Sequence, residues 1–418
     1  MTISRFEKHY TEDSGIVRLM DDLGEAQTGS SKMLMLGGGN PAHIPEVLQF
    51  FQERLARIVD NPVEMAHIIG NYDPPQGDRK FIESLSALFR KQYSWDIGPE
   101  NIALSAGSQS AFFMLFNMFA GEYEDGTRRK ILLPLTPEYI GYSDVCLSAD
   151  SFVSYKPLIE ILSEHEFKYH VDFNQLQIGP DIGAVCISRP TNPTGNVLSD
   201  DEMEKLTALT RLHQIPLIVD NAYGMPFPNI IFTEANLHWE PHMILCMSLS
   251  KLGMPGARTG IIVASQRVIK SISRMNAIFS LALGSIGPAL AQDLIETGEI
   301  LSLCKHVITP YYQRKAQLAT AILKRELKGL EFYLHKTEGA IFLWLWIPNL
   351  PVSCEQLYHR LKARSVLVVP GHYFFPGLEQ EWPHRHECIR ISYAMHDSVV
   401  EQGLVIIADE IRNIFNSK

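Results

Sequence analysis

The sequence predicts an α/β protein, with a large domain on a mainly parallel sheet and a smaller α+β domain after it. Short apolar runs at Gly183 to Ser188, Ile215 to Val219 and Met243 to Met247 alternate with helical patterns, as buried parallel strands covered on both faces require. After Gly287 the pattern changes to a long helix, an alternating apolar stretch and short strands, which marks an α+β unit. A length of 418 residues makes more than one domain the default. The expected division is 46–290 for the large domain and 1–45 with 291–418 for the small one.

In chain order, Ile16 to Leu23 reads as a short helix. Leu36-Gly37-Gly38-Gly39-Asn40-Pro41 is a turn without the Gly-Lys-Ser/Thr ending of a nucleotide loop. Gly39 there either reverses the chain or lets backbone approach a ligand. A second turn at Asn71 to Gly77, holding Tyr72, precedes a helix from Lys80 to Tyr93. Ala103 to Ser105, Gly107 and the apolar helix Ser110 to Phe119 form a strand, a turn and a helix amino terminus. That order can present free N–H groups to an anion at Ser108 and Gln109, or be an ordinary capped helix. Ile131 to Leu135 leads into Pro137-Glu138-Tyr139, where the aromatic either packs or stacks on a flat ligand. Ser199 with Glu202 is a capping box for a helix ending near His213. Gly260 to Ala264 is a further strand. Beyond it come a helix over Ile300 to Leu327 with a break near Pro310, an antiparallel strand within Glu331 to Trp346, strands at Val366 to Val369 and Ile389 to Tyr393, and a terminal helix over Val399 to Phe415.

With 46% hydrophobic and 20% charged residues the composition is that of a soluble globular protein, and a net charge of -10 argues against nucleic acid or an anionic membrane as partner. The six cysteines show no paired spacing, so neither a disulfide framework nor a zinc site is expected, and a reducing cytosol fits. No signal peptide or run of eighteen apolar residues is present, which predicts a cytoplasmic protein that does not span a membrane. His384-Arg385-His386 reads as a solvated loop, and no metal is expected.

The chemistry centres on Met247 to Arg258. Lys251 follows a buried strand, with Ser248 and Ser250 before it and Arg258 seven residues after. Open α/β sheets bind ligands at the carboxyl ends of their strands. Hydroxyls, glycines and a guanidinium can cradle a phosphate there, and a lysine beside a phosphate site suggests pyridoxal phosphate. Asn192, Asp220, Tyr223, Ser248 and Lys251 would gather at that edge.

Asn-Pro-Thr-Gly at 192 to 195, Asp-x-x-Tyr at 220 to 223, Ser-x-Ser-Lys at 248 to 251 and Arg258 together resemble the fold-type I, pyridoxal-phosphate-dependent aminotransferases, whose fold is that of aspartate aminotransferase. The likeness extends to Tyr-x-x-x-x-Gly at 72 to 77, Gly-Ser-Gln at 107 to 109, Pro-x-Tyr at 137 to 139 and Ile-Arg-Ile-Ser-Tyr at 389 to 393, in the same order. The resemblance implies that Lys251 holds the cofactor covalently and, once freed, moves the substrate Cα proton. It implies that Asp220 pairs with the pyridine nitrogen, that Tyr223 and Asn192 bond the ring oxygen, and that Tyr139 stacks on the ring. Gly107, Ser108, Gln109, Ser248 and Arg258 would hold the phosphate, joined by Tyr72 from the partner of a homodimer. Arg390 would grip the substrate α-carboxylate beside Asn192 and the Gly39 backbone. In many relatives the arginine follows the lysine by eight residues; the seven seen here are a departure that some branches of the family share, and it leaves the chemistry untouched.

The words at 35–41, 189–196, 248–253 and 369–377 resemble the branch of that family acting on valine, alanine and pyruvate. Relatives that use dicarboxylic acids place an arginine near the large domain's end, whereas Ile278 to Gly287 contains no cation. Branched aliphatic and small neutral amino acids, with 2-oxo acids as acceptors, are therefore the expected substrates. A pyridoxal phosphate lyase or decarboxylase uses the same cofactor residues and is the alternative. A pyridoxal-phosphate-binding regulator would need a DNA-reading module as well.

Overall fold

The computed structural model describes residues 2–11, 14–28, 33–148 and 150–417. An eight-stranded sheet runs in the order Ile102–Ser105, Gly260–Val263, Met243–Ser248, Leu217–Asp220, Ile182–Ser188, Arg128–Leu133 and Gly121–Glu122, with Phe152–Ser154 also paired to Arg128–Leu133. The four strands from 243–248 to 128–133 are parallel, while Gly260–Val263 is antiparallel to both its neighbours. Continuous apolar runs form these strands because both faces are covered. Cys186, Ile218 and Cys246 point toward Phe112 and Phe116 of helix Ser108–Phe119, and the alternate residues Val185, Val219 and Leu245 enter a second core.

Register sets the site. Ser188 lies opposite Asp220, Asp220 opposite Cys246, and Ser248 opposite Gly260, which in turn faces Ser105. One sheet edge thus carries polar residues at the ends of otherwise apolar strands. The predicted capping box is present, Ser199 accepting from Glu202 N and Glu202 from Ser199 N, at the start of helix Asp200–Leu212.

A six-stranded sheet runs Val369–Pro370, Cys388–Ser392, Phe342–Trp346, Tyr333–His335, Glu166–His170 and Leu158–Ser163. Its last two strands come from within 46–290, the span the sequence assigns to the large domain. They leave the first sheet because Phe167 and Tyr169 are buried against Trp346 and Trp344, the Trp344 indole donating to the Tyr169 hydroxyl at 3.0 Å. Two strand expectations are corrected, and the expected break near Pro310 is present. The stretch 331–346 is two strands, with Ala340 at φ 60 between them. Val366–Leu367 pairs with Leu34–Met35, whereas Val369–Pro370 joins the larger sheet. The break near Pro310 is a wide turn over Cys304–Ile308, between Glu299–Leu303 and Thr309–Glu326. Proline cannot donate to the preceding turn, and the wider loop absorbs the lost bond. Helices Pro45–Asp60, Pro62–Gly70, Gln266–Phe279, Ile286–Thr297 and Cys354–Ala363 complete the covering layers. Among the described residues no helix is long and apolar enough to cross a membrane.

Candidate active site

Lys251 occupies a single helical turn, Ser250–Leu252, directly after strand Met243–Ser248, and Gly253 at φ 119 ends that turn. Its Nζ donates to the Gly39 carbonyl at 2.6 Å and stands 5.4 Å from the centre of the Tyr223 ring. Among the described residues no carboxylate forms an ion pair with it. Loss of water, then the Arg390 charge, lower it to about 8, against an opposing pull from Asp220. At pH 7 that leaves roughly a tenth of the amine neutral, against well under one part in a thousand for a free lysine. A nucleophile and a base are thus available without a separate activating group.

Asp220 ends strand Leu217–Asp220. It accepts from Ala222 N at 3.0 Å and from the Tyr142 hydroxyl at 2.8 Å. Burial raises it to about 6, and these two donors with Lys251 oppose the rise, so the anion prevails at neutral pH. The Tyr223 hydroxyl is buried and has no partner.

Arg390 lies within strand Cys388–Ser392, 2% exposed, and donates to Asn192 Oδ1 at 2.8 Å and to the Gly37 carbonyl at 2.6 Å. Its guanidinium stands 4.2 Å from the Phe342 ring centre, and its Nε is unpaired. Burial lowers it only to about 10, so it stays a cation, yet no carboxylate among the described residues pairs with it. A buried guanidinium in that condition matches an anionic ligand. The Gly37 carbonyl meets Arg390, and the Gly39 carbonyl meets the Lys251 amine, so both glycines of that turn stand at the site.

Ser108, Gln109, Tyr139, Asn192, Asp220, Tyr223, Ser248, Lys251 and Arg258 line one cavity of about 130 Å³. Gly107 at φ 85 precedes helix Ser108–Phe119, which has no side-chain cap, and a Cβ there would come within 2.2 Å of the Arg258 guanidinium. The uncapped helix end, the serine hydroxyls and Arg258 suit a phosphate. Ser188 and Ser250 also line the cavity. Of these, Ser250 was visible in the Ser-x-Ser-Lys motif and Ser188 carried no signal. Tyr72 stands apart from this cavity, 82% exposed.

Two other places were open to a site. A larger cavity of about 500 Å³ lies behind Arg189. It is lined by Met203, Met225 and Leu237, and Arg189 is already bonded to Leu198 O, Asn236 O and Asp200. His384, expected in a solvated loop, is instead buried and stacked on Trp382 with centroids 4.5 Å apart, and it bonds the Tyr169 hydroxyl. Burial pushes it down to about 3. Nearby, Cys354 and His372 are bonded at 3.3 Å, and Arg385 Nε meets His386 Nε2 at 3.0 Å.

Residues 31–407 match the family model described as aminotransferase class I and II. The chain belongs to that family. Like its members it works with pyridoxal phosphate, and this aminotransferase offers the group an unpartnered Tyr223 hydroxyl, a buried Asp220, a partner-poor Lys251 and an uncapped helix end. When bound, the cofactor supplies an electron-accepting ring next to the carbon that carries the amino group. Valine–pyruvate aminotransferase of Escherichia coli strain K12 is 51% identical over 411 residues, covering 98% of each chain. The crystal structure of valine–pyruvate aminotransferase from Salmonella typhimurium LT2 is 51% identical, with a TM-score of 0.89 over 97% of this chain and 100% of that one. Aspartate aminotransferase from Thermus thermophilus, at 18% identity and a TM-score of 0.78 over 98% and 100%, shares the fold.

Proposed function

We propose that this aminotransferase exchanges an amino group between valine and pyruvate, giving 3-methyl-2-oxobutanoate and alanine. The observation that carries the reading is 51% identity along almost the whole chain to an enzyme of that name, with a buried Arg390 that meets no carboxylate among the described residues and donates to Asn192 of the cavity wall. In this reading Arg390 and Asn192 hold the substrate carboxylate, and neutral Lys251 takes the proton from the substrate Cα. Asp220 keeps the ring nitrogen protonated, Tyr223 and Asn192 bond the ring oxygen, and Tyr139 packs on the ring. Gly107, Ser108, Gln109, Ser248 and Arg258 hold the phosphate.

The segment 278–287 carries no cation to meet a second carboxylate. Stripping water from an unpaired distal carboxylate costs several kcal/mol, while an isopropyl group gains roughly 25 cal/mol per Å² buried. Values of kcat/KM for valine, alanine, isoleucine, aspartate and glutamate test the reading. Valine and alanine should lead, with isoleucine about 10- to 200-fold from valine. Aspartate or glutamate outrunning both would overturn the substrate assignment and leave the cofactor assignment standing.

The enzyme is proposed to act as a homodimer that shares Tyr72 across its interface. Tyr72, Val63, Ile69, Ile278, Phe279 and Leu281 are each at least 60% exposed. The two segments bearing them, 62–75 and 276–285, are tied together by Asn276 to Pro75 O at 2.9 Å and Ser285 to Asp73 at 2.6 Å. An exposed apolar patch of this kind marks an interaction surface. A cytoplasmic location is supported by six buried free cysteines. The proposed division remains 46–290 against 1–45 with 291–418, with the hairpin 158–170 lent to the second sheet.

A further inference from the structure

Behind Asp220 lies a second carboxyl group that the reaction, as described, does not use. Glu138 is fully buried, in the middle position of Pro137-Glu138-Tyr139. One of its oxygens accepts from Ser188 N at 2.8 Å and the other bonds Ser188 Oγ. Ser188 Oγ lies 3.2 Å from the Tyr142 hydroxyl, and that hydroxyl donates to Asp220 Oδ2 at 2.8 Å. We infer that Glu138 is a positioning residue for Asp220, acting through Ser188 and Tyr142. The inference rests on the cofactor reading of the cavity and deepens it.

The direction of the hydrogen bonds carries the argument. With Glu138 protonated, its O–H donates to Ser188, Ser188 donates to Tyr142, and Tyr142 donates to Asp220. Every hydroxyl has one donor and one acceptor, and the chain ends on the carboxylate that must stay negative. With Glu138 ionised, the serine proton turns back toward it. Tyr142 then has a single proton contested by Ser188 and Asp220, and two buried negative charges share the network. Burial raises Glu138 to about 8, and the Ser188 donors and nearby Asp220 act on it as well, so the protonated form prevails at neutral pH. The other titratable groups acting here are Cys186 beside Glu138, Cys246 beside Asp220, and Lys251, Tyr139 and Tyr223 on the cavity side of Asp220. Both thiols are pushed well up by burial and stay neutral.

Glu138→Gln keeps a donor for Ser188 Oγ and an acceptor for Ser188 N, whereas Glu138→Leu keeps neither. Pyridoxal phosphate affinity of the apoenzyme, and the pH titration of the bound cofactor's visible absorbance, should separate the two. Glu138→Gln should hold the cofactor within about threefold of the unmodified enzyme and lose any inflection near pH 8. Glu138→Leu should weaken it about tenfold or more and displace the main absorbance midpoint, as expected for buried polar groups left unpaired. Ser188→Ala, which cuts the chain at its middle, should shift the midpoint in the same direction and answers the question if Glu138→Leu does not fold. A Leu variant with unchanged affinity and midpoint would overturn the inference. So would a folded Gln variant as impaired as Leu, since the site would then need the charge. Failure of the unmodified chain to bind pyridoxal phosphate would remove the cofactor reading and this inference together.

Discussion

Lys251 and Lys168 are both drawn out of bulk water, but their surroundings differ. Lys168 Nζ donates to the Val197 carbonyl at 3.0 Å and pairs with Glu338, which is 3% exposed and also accepts from Val197 N. Burial opposes ionisation of Glu338, yet Lys168 beside it holds its carboxyl below the usual range. That set is closed: Lys168 and Val197 N meet one oxygen of Glu338, and Lys336 stands 3.1 Å from the other. At Lys251 the amine meets one carbonyl, Arg390 adds like charge, and the Tyr223 hydroxyl waits without a partner. The difference separates structure from function. A buried polar set that completes itself secures the fold, and one left incomplete is completed by a ligand.

Substitutions can break this contrast in a definite order. Lys251→Ala should abolish turnover by orders of magnitude while the protein stays folded, since the amine makes few native contacts. Substantial residual turnover would place the chemistry elsewhere. Lys168→Met should do the reverse. Glu338 would stay buried with only the half-exposed Lys336 to meet it at 3.1 Å, which should cost up to about 3–5 kcal/mol in denaturant unfolding, with turnover per folded molecule within about threefold. A full-stability Lys168→Met enzyme that has lost its turnover would erase the distinction.

The smallest effect belongs to the helix cap. Ser199→Ala should cost about 1 kcal/mol at pH 7. Glu202 gives this cost a pH dependence. Burial raises its pKa, but bonds from His170, Ser199 and Val171 outweigh that and bring it to about 2. A depressed carboxylate stabilises the fold above its unfolded pKa, so its contribution is complete at neutral pH and is lost as pH falls from about 4.5 toward 2. The gap between Ser199→Ala and the unmodified enzyme should narrow over that range; a constant gap would show that Glu202 is not coupled to the cap.

Much of the first sheet was legible because its physics is local. Strands 182–188, 217–220 and 243–248 are apolar on both faces, and Ser199 with Glu202 announces a helix start within four residues. Asp220, Ser248 and Lys251 were legible because strand ends follow from those runs. What escaped was non-local. The hairpin 158–170 exposes Leu158 and Ile161 and buries Phe167 and Tyr169 against residues more than 160 positions away, so no window of sequence shows where it pairs. Gly37 was not distinguished from Gly39, because only the folded chain brings its carbonyl to Arg390. Glu138 was read as the filler between Pro137 and Tyr139, since a glutamate's burial and proton depend on Ser188, fifty residues on.

The central claim is that the incomplete lysine, and no closed one, carries the cofactor. Borohydride reduction of the enzyme loaded with pyridoxal phosphate, followed by peptide mass mapping, tests it most directly. The account predicts a stable pyridoxyl mass on Lys251 alone, and none on Lys168 or on Lys315, which is buried and paired with Asp397 at 2.6 Å. A reduced adduct on another lysine, with Lys251 unmodified in active enzyme, would contradict it.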